Sequence, residues 1–245
     1  MQSLGFSEIA VRSVCMTDKS VLIADGKTKA LYDSGDGCYQ LYFKDDMTGA
    51  DGVFDPGANT VGLTVEGAGA AGLAMSAYCF RLLRDKGCAT HFVDADVQER
   101  TMTIKPAAVF GKGLEVVCRF TALGSFVRRY GSVVQSGVPL NAVVEMTLKD
   151  DERGDPLINQ EALEALGILK PGEYEDLSAL TKRICRILKD DLAKKGLELC
   201  DIKLEFGRDA EGAIMLIDEL SAGNMRVLDN GKSVGPLELT RRVLE

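Results

Sequence analysis

Histidine is nearly missing from this chain: 245 residues hold one, His91. A single imidazole cannot build a histidine-rich metal site, and in the strand-like run Thr90-His91-Phe92-Val93 it reads as a structural residue. The seven cysteines (Cys15, Cys38, Cys79, Cys88, Cys118, Cys185 and Cys200) contain no Cys-x-x-Cys pair. An odd number in mostly apolar surroundings predicts reduced, buried thiols of a cytoplasmic protein, not a disulfide frame or a zinc site. Positive charge is also short. Lys and Arg total 29 against 37 Asp and Glu, a net charge of −8, which argues against nonspecific nucleic-acid or membrane-surface binding. No apolar run reaches the length of a membrane span, and Met1 to Ser20 lacks the apolar core of a signal peptide. What is left, 46% hydrophobic and 27% charged, is the composition of a soluble protein able to bury a sizeable core in one large domain or two small ones.

The most informative stretch runs from Asp201 to Arg226. Asp201-Ile202-Lys203-Leu204-Glu205-Phe206-Gly207 alternates charged and apolar residues, Arg208 to Gly212 makes a polar turn, and Ala213-Ile214-Met215-Leu216-Ile217 leads into Asp218-Glu219. This is an antiparallel hairpin with Asp201, Lys203 and Glu205 on one face. Glu205 and Asp218 brought side by side would repel unless a cation lies between them. Paired hard-oxygen ligands suit Mg²⁺, which takes one or two carboxylates and fills its shell with water and nucleotide phosphates. Lys203, two residues from Glu205, could reach a phosphate. A solvated hairpin face accounts for the same alternation.

Upstream, residues 21–43 read as a β-meander with turns at Asp25-Gly26 and Ser34 to Gly37. Gly26-Lys27-Thr28 is no P-loop, because the required earlier glycine is Val21 and a strand follows where a helix should. A glycine turn flanked by Lys27 and Lys29 at a sheet edge can nevertheless cover a polyphosphate; an exposed basic hairpin tip fits as well. Gly67-x-Gly69-x-x-Gly72, a helix and a strand ending in Asp94 have the spacing of a dinucleotide-binding unit. The poor strand before it and the lack of a second βαβ unit favour a small-residue helix start packed closely against its neighbours.

Residues 101–110 and 114–118 read as strands around Gly111-Lys112-Gly113, a candidate hinge between lobes. Glu115 and Arg119 stand among apolar residues and must pair or bind something. A short helix at Gly124 to Gly131 would offer its N-terminus, with Arg119 and Ser125, to an anion. A charged loop at Lys149 to Pro156 follows a strand at Ala142 to Leu148. Helices are predicted over Asn159 to Leu166 and Leu177 to Lys195, the second with an apolar stripe of Leu180, Ile184, Ile187, Leu188 and Leu192. Ser221 to Arg226 reads as a loop, and Leu237 to Leu244 as a short helix.

In order and spacing these segments resemble the SAICAR synthetase family over about residues 22–227. The resemblance rests on Gly26-Lys27-Thr28-Lys29, Phe43-Lys44-Asp45-Asp46, Leu114-Glu115-Val116-Val117-Cys118-Arg119 with Ala122 to Gly131, Lys149-Asp150-Asp151 with Gly154-Asp155-Pro156, Asp201 to Gly207, and Asp218-Glu219 to Arg226. It implies an α+β fold of two lobes (1–111 and 112–245), antiparallel sheets with packed helices, and an ATP-grasp-like nucleotide cleft between them. The implied activity is an ATP-dependent amide ligase of purine biosynthesis that joins CAIR (carboxyaminoimidazole ribotide) to L-aspartate through an acyl phosphate. By the same resemblance Lys27, Lys29, Lys105, Glu205 and Asp218 would bind ATP, with Glu205 and Asp218 on Mg²⁺. Glu115, Asp155 and Lys203 would be catalytic, and Arg119, Ser125, Ser221 and Arg226 would bind substrate. A cytoplasmic homodimer is implied as well, without nucleic-acid or membrane partners. Two departures stand out. Ala68 lies where many relatives have the lysine of Gly-Lys-Gly, and Ser221-Ala222-Gly223 replaces Ser-Pro-Asp, removing a carboxylate expected near the ribotide. The C-terminal helix is also shorter than usual. Competing readings are a paralogous ligase with another acid or amine, a nicotinamide-binding oxidoreductase, and a nucleotide-binding protein without turnover.

Overall fold

The computed structural model describes residues 21–58 and 60–245, so the expectations for Met1 to Ser20 and for Cys15 lie outside it. The chain opens with β1 (Val21–Asp25), β2 (Lys29–Asp33) and β3 (Tyr39–Phe43), the expected meander. β4 (Asp46–Ala50), β5 (Val53–Phe54) and β6 (Val61–Thr64) form a separate three-stranded sheet, followed by α1 (Ala68–Asp85), β7 (Phe92–Asp96) and β8 (Thr101–Ile104). Then come β9 (Ala108–Val109), β10 (Leu114–Thr121), α2 (Ser125–Tyr130), β11 (Pro139–Leu148), α3 (Gln160–Ala165) and α4 (Glu173–Lys194). β12 (Glu198–Arg208), β13 (Ile214–Ile217), β14 (Met225–Asp229), β15 (Lys232–Ser233) and α5 (Pro236–Leu244) complete the order.

A five-stranded sheet runs β1-β2-β3-β8-β7, and a seven-stranded sheet is organised on β12, which pairs with β9, β10, β13 and β14, all antiparallel. Ile202, Leu204 and Phe206 of β12 are buried in the same apolar core as Leu177, Ile184, Leu188 and Leu192 of α4. The alternate residues Asp201, Lys203 and Glu205 are thereby turned to the opposite face, where the cavities lie.

Several boundaries moved for physical reasons. The strand expected over 101–110 breaks at Lys105 to Ala107: Pro106 lacks a donor, and the chain passes from β8 in one sheet to β9 in the other. The division at 111 therefore has a sheet pairing running across it, β9 to β12, and α5 packs back onto α1. Gly111 and Gly113 (φ 59° and 126°) make a tight turn closed by Gly113 N–H donating to the Phe110 carbonyl at 2.9 Å. Helix α4 begins at Glu173 and not at Leu177, because Gly172 at φ 88° caps it and the acidic first turn of Glu173, Glu175 and Asp176 suits the helix dipole. Its fully buried stripe includes Leu177, Thr181 and Cys185, while Leu180 and Ile187 pack at its margin.

The dinucleotide-unit reading fails. Gly67 caps α1 and Gly69 and Gly72 lie inside it, β6 before it is antiparallel to β4, and β7 after it is antiparallel to β8. Without parallel strands flanking the helix there is no crossover to cradle a pyrophosphate. Among the described residues the six cysteines are free, five of them buried as expected, and no helix is long and apolar enough to cross a membrane.

Candidate active site

Two cavities meet at the open face of β12. The first, about 340 Å³, is lined by the Gly26 to Lys29 turn, the start of α1, Lys149, Asp151, Lys203, Glu205 and the Asp218 to Asn224 segment. Here lysines meet carboxylates contributed from distant parts of the chain. Lys27 pairs with Asp151 at 2.5 Å, Lys149 with Glu205 at 2.7 Å, and Lys203 with Glu115 at 2.6 Å. Lys29 donates to Glu219 and lies 3.3 Å from Asp218. Lys44 secures the glycine turn by donating to the Gly26 carbonyl at 2.8 Å and to Asp25 at 2.5 Å.

These groups perturb one another strongly. Burial alone would lower the Lys29 ammonium, but Asp218, Glu219 and Glu205 outweigh it and hold Lys29 above the ordinary lysine range. Burial would likewise raise Asp218; Lys29, Lys149 and Lys203 instead keep it ionised below the usual carboxylate range. Glu205 is pushed up, first by burial and then by the neighbouring Asp218 charge, with Lys149 opposing. Two neighbouring carboxylates are thus shifted in opposite directions, each with a lysine partner. Asp218 also has φ 66°, a left-handed conformation that costs a non-glycine residue roughly 1–2 kcal/mol. Backbone strain of this kind gathers where the surrounding structure holds a functional group in place.

The second cavity, about 310 Å³, is built on guanidinium groups: Arg119, Arg128, Arg129 and Arg226 line it with Ser125, Asp155, Asp201 and Thr147. Arg119 is buried. It donates to Glu145 at 2.6 Å and to Ser125 Oγ at 2.9 Å, and lies 3.6 Å from Asp201. Arg226 reaches Asp201 at 3.0 Å and Asp55 at 2.7 Å. Arg129 shares the same Glu145 oxygen at 2.6 Å. Burial lifts the Asp201 carboxyl above its ordinary range despite Arg226 and Arg119. Asp155, at φ 49°, accepts from the Asp150 N–H at 2.9 Å. Glu115 and Lys203 line both cavities, so their ion pair lies on the shared wall.

The structure thus brings Lys27, Lys29, Glu205 and Asp218 together in the first cavity and Arg119, Ser125, Asp155 and Arg226 in the second. Ser221, expected with the substrate arginines, lies in the first, where its hydroxyl donates to Glu219. Lys105 is exposed on the turn after β8 and lines neither cavity. Arg226 stands on β14, not on a loop. Ala68 and Gly223 both line the first cavity; a Cβ on Gly223 would lie 3.4 Å from Glu219 Oε1. Sequence reasoning missed Glu219, Lys149, Glu145, Asp55 and Arg129. Glu219, Lys149 and Arg129 lie inside the motifs that carry the resemblance but drew no role there, and Glu145 carried only the weak signal of a carboxylate inside an apolar strand.

The chain is similar to known proteins over most of its length. A family model described as SAICAR synthetase matches residues 22–238. The phosphoribosylaminoimidazole-succinocarboxamide synthase of Clostridium tetani is 54% identical over 225 residues, covering 91% of this chain and 99% of its own. The enzyme of the same name from Thermotoga maritima is 36% identical over 231 residues, covering 90% and 95%. A solved SAICAR synthetase (Type-2) in complex with ADP has a TM-score of 0.79 at 31% identity, covering 91% of this chain and 95% of that one.

Proposed function

The chain belongs to the SAICAR synthetase family, and we propose that its two cavities divide the substrates of that ligase between them. The reaction joins CAIR and L-aspartate with cleavage of ATP to ADP and phosphate. A CAIR carboxylate oxygen attacks the γ-phosphorus of ATP, releasing ADP and leaving an acyl phosphate. The aspartate amine then attacks the acyl carbon, phosphate leaves, and an amide remains. Such chemistry needs alignment and charge neutralisation more than covalent help from the protein.

The observation that carries the reading is the shared wall. Lys27, Lys29 and Lys149 would take the triphosphate in the first cavity, and Arg119, Arg226 and Ser125 the anionic groups of the ribotide in the second. Lys203 would stand where the two reacting groups meet, held by Glu115, with Asp155 on the ribotide side. A preorganised cation at that point contributes about 10²–10³ in rate. Glu205 and Asp218 fit a hard divalent cation, since both are oxygen donors whose present lysine partners can turn to phosphate. They would hold Mg²⁺, which supplies charge neutralisation to the triphosphate when bound. The departures Ala68 and Gly223 lie in the first cavity, so the arginine set for the ribotide is untouched by them. The reading also includes the two lobes, 1–111 and 112–245, and a cytoplasmic homodimer.

The test is an assay with ATP, Mg²⁺, CAIR and aspartate, following ADP and the amide product together. Lys203→Met should lose turnover about 10²-fold or more. Arg226→Gln should raise the KM for CAIR and leave that for ATP. Wild-type protein that forms no ADP, or an Arg226→Gln effect confined to ATP, overturns the reading. Light scattering of the purified protein tests the dimer.

A further inference from the structure

We infer that His91 is a positioning residue, fastening the Asp218 to Glu219 turn of one sheet to the sheet that carries Lys29. The inference rests on the nucleotide assignment of the first cavity. His91 lies where the sheets meet, immediately before β7 of the five-stranded sheet. Its N–H donates to the Leu216 carbonyl of β13 at 2.9 Å, and its carbonyl accepts from the Lys105 N–H at 2.7 Å. The side chain makes the third link: Nε2 lies 3.0 Å from the Asp218 carbonyl. A carbonyl only accepts, so the ring proton is on Nε2. The imidazole is 2% exposed and packs on Phe80 at 5.4 Å.

Asp218 is the residue whose backbone is held at φ 66° just as the chain leaves β13. The orientation of its peptide group sets where both the Asp218 and Glu219 carboxylates point, and those carboxylates meet Lys29 of β2. With the His91 donor removed, the buried carbonyl loses its partner and the strained turn relaxes. The carboxylates then leave the positions matched to Lys29, Lys149 and Glu205. The arginines of the second cavity stand on β10, α2 and β14, none of which carries His91 or Asp218, so that cavity keeps its ligand.

The experiment compares His91→Phe, which keeps a ring on Phe80 but has no N–H, with His91→Gln, which restores a donor. Phe80→Leu serves as a packing control. Calorimetric binding of MgADP, the Mg²⁺ concentration for half-maximal rate, the KM for CAIR and the melting temperature are measured for each. His91→Phe should weaken MgADP binding at least tenfold and raise the Mg²⁺ requirement, with the KM for CAIR within twofold of wild type. His91→Gln should bind MgADP within threefold of wild type, and Phe80→Leu should melt lower yet bind normally. Wild-type MgADP affinity in His91→Phe overturns the inference, as does Phe80→Leu weakening binding equally or His91→Gln failing to restore it. If the phenyl ring prevents folding, His91→Leu supplies the same contrast. Wild-type protein that binds no MgADP would instead sink the nucleotide assignment itself.

Discussion

Replacing Lys29 by methionine removes the cation shared by Asp218 and Glu219 while keeping a side chain of similar length. Breaking a buried ion pair by deleting one partner costs about 3–5 kcal/mol. Two features reduce that here: the Lys29 side chain is 15% exposed, and Asp218 still feels Lys149 and Lys203. A loss of about 2–3 kcal/mol is reasonable, equivalent to a fall in Tm of about 5–10 °C in a chain of this size. The pH dependence has a definite sign. In the wild type the depressed Asp218 pKa contributes stability above the unfolded carboxylate value near about 4, and that contribution fades as acid protonates it. Without Lys29 much of that contribution is missing, so the deficit of the variant is fully present at neutral pH and closes as pH falls below about 4. Mg²⁺ without nucleotide offers a sharper contrast. Lys29 occupies the carboxylates of the wild type, whereas the variant leaves them open to the ion. Mg²⁺ at tenfold above its Kd would restore about 1.4 kcal/mol, or about 3–6 °C, to the variant. Thermal unfolding at pH 7.5 and about pH 3, with and without Mg²⁺ at the higher pH, measures all of this. Equal melting temperatures at pH 7.5, a gap that widens in acid, or equal Mg²⁺ stabilisation of both proteins would refute the reasoning.

Three further substitutions probe other parts of the site. Asp218→Asn should reduce turnover by about 10³-fold or more with the fold intact by circular dichroism, and wild-type activity would refute the metal assignment. Glu145→Gln removes the charge that holds Arg119 and Arg129, each at 2.6 Å; it should raise the KM for CAIR about tenfold with the KM for ATP unchanged, as steady-state kinetics will show. Gly69→Ala would by helix propensity stabilise α1 by about 1 kcal/mol. Its Cβ, however, would stand 2.6 Å from the Phe43 carbonyl oxygen and 2.8 Å from that of Lys44, so a net loss of about 2 kcal/mol in denaturant unfolding is expected.

Local pattern determined the elements and the faces. Period-2 alternation placed Asp201, Lys203 and Glu205 together before any coordinates, because side chains of a strand must alternate. The meander at 21–43, helix α3 and the core side of α4 follow from the same periodicity and from glycine stops. Order and spacing of motifs then indicated the family. Pairing was decided only in three dimensions: Lys27 meets Asp151 across 124 positions, and Lys29 meets Glu219 across 190. No local signal joins such residues, since their partnership depends on how two sheets close on each other. The same closure sent Ser221 to the first cavity, left Lys105 outside both cavities, and set His91 beneath a strained aspartate. Periodicity is a property of neighbouring residues along the chain, whereas a charge is balanced by whatever lies within a few ångströms of it in space.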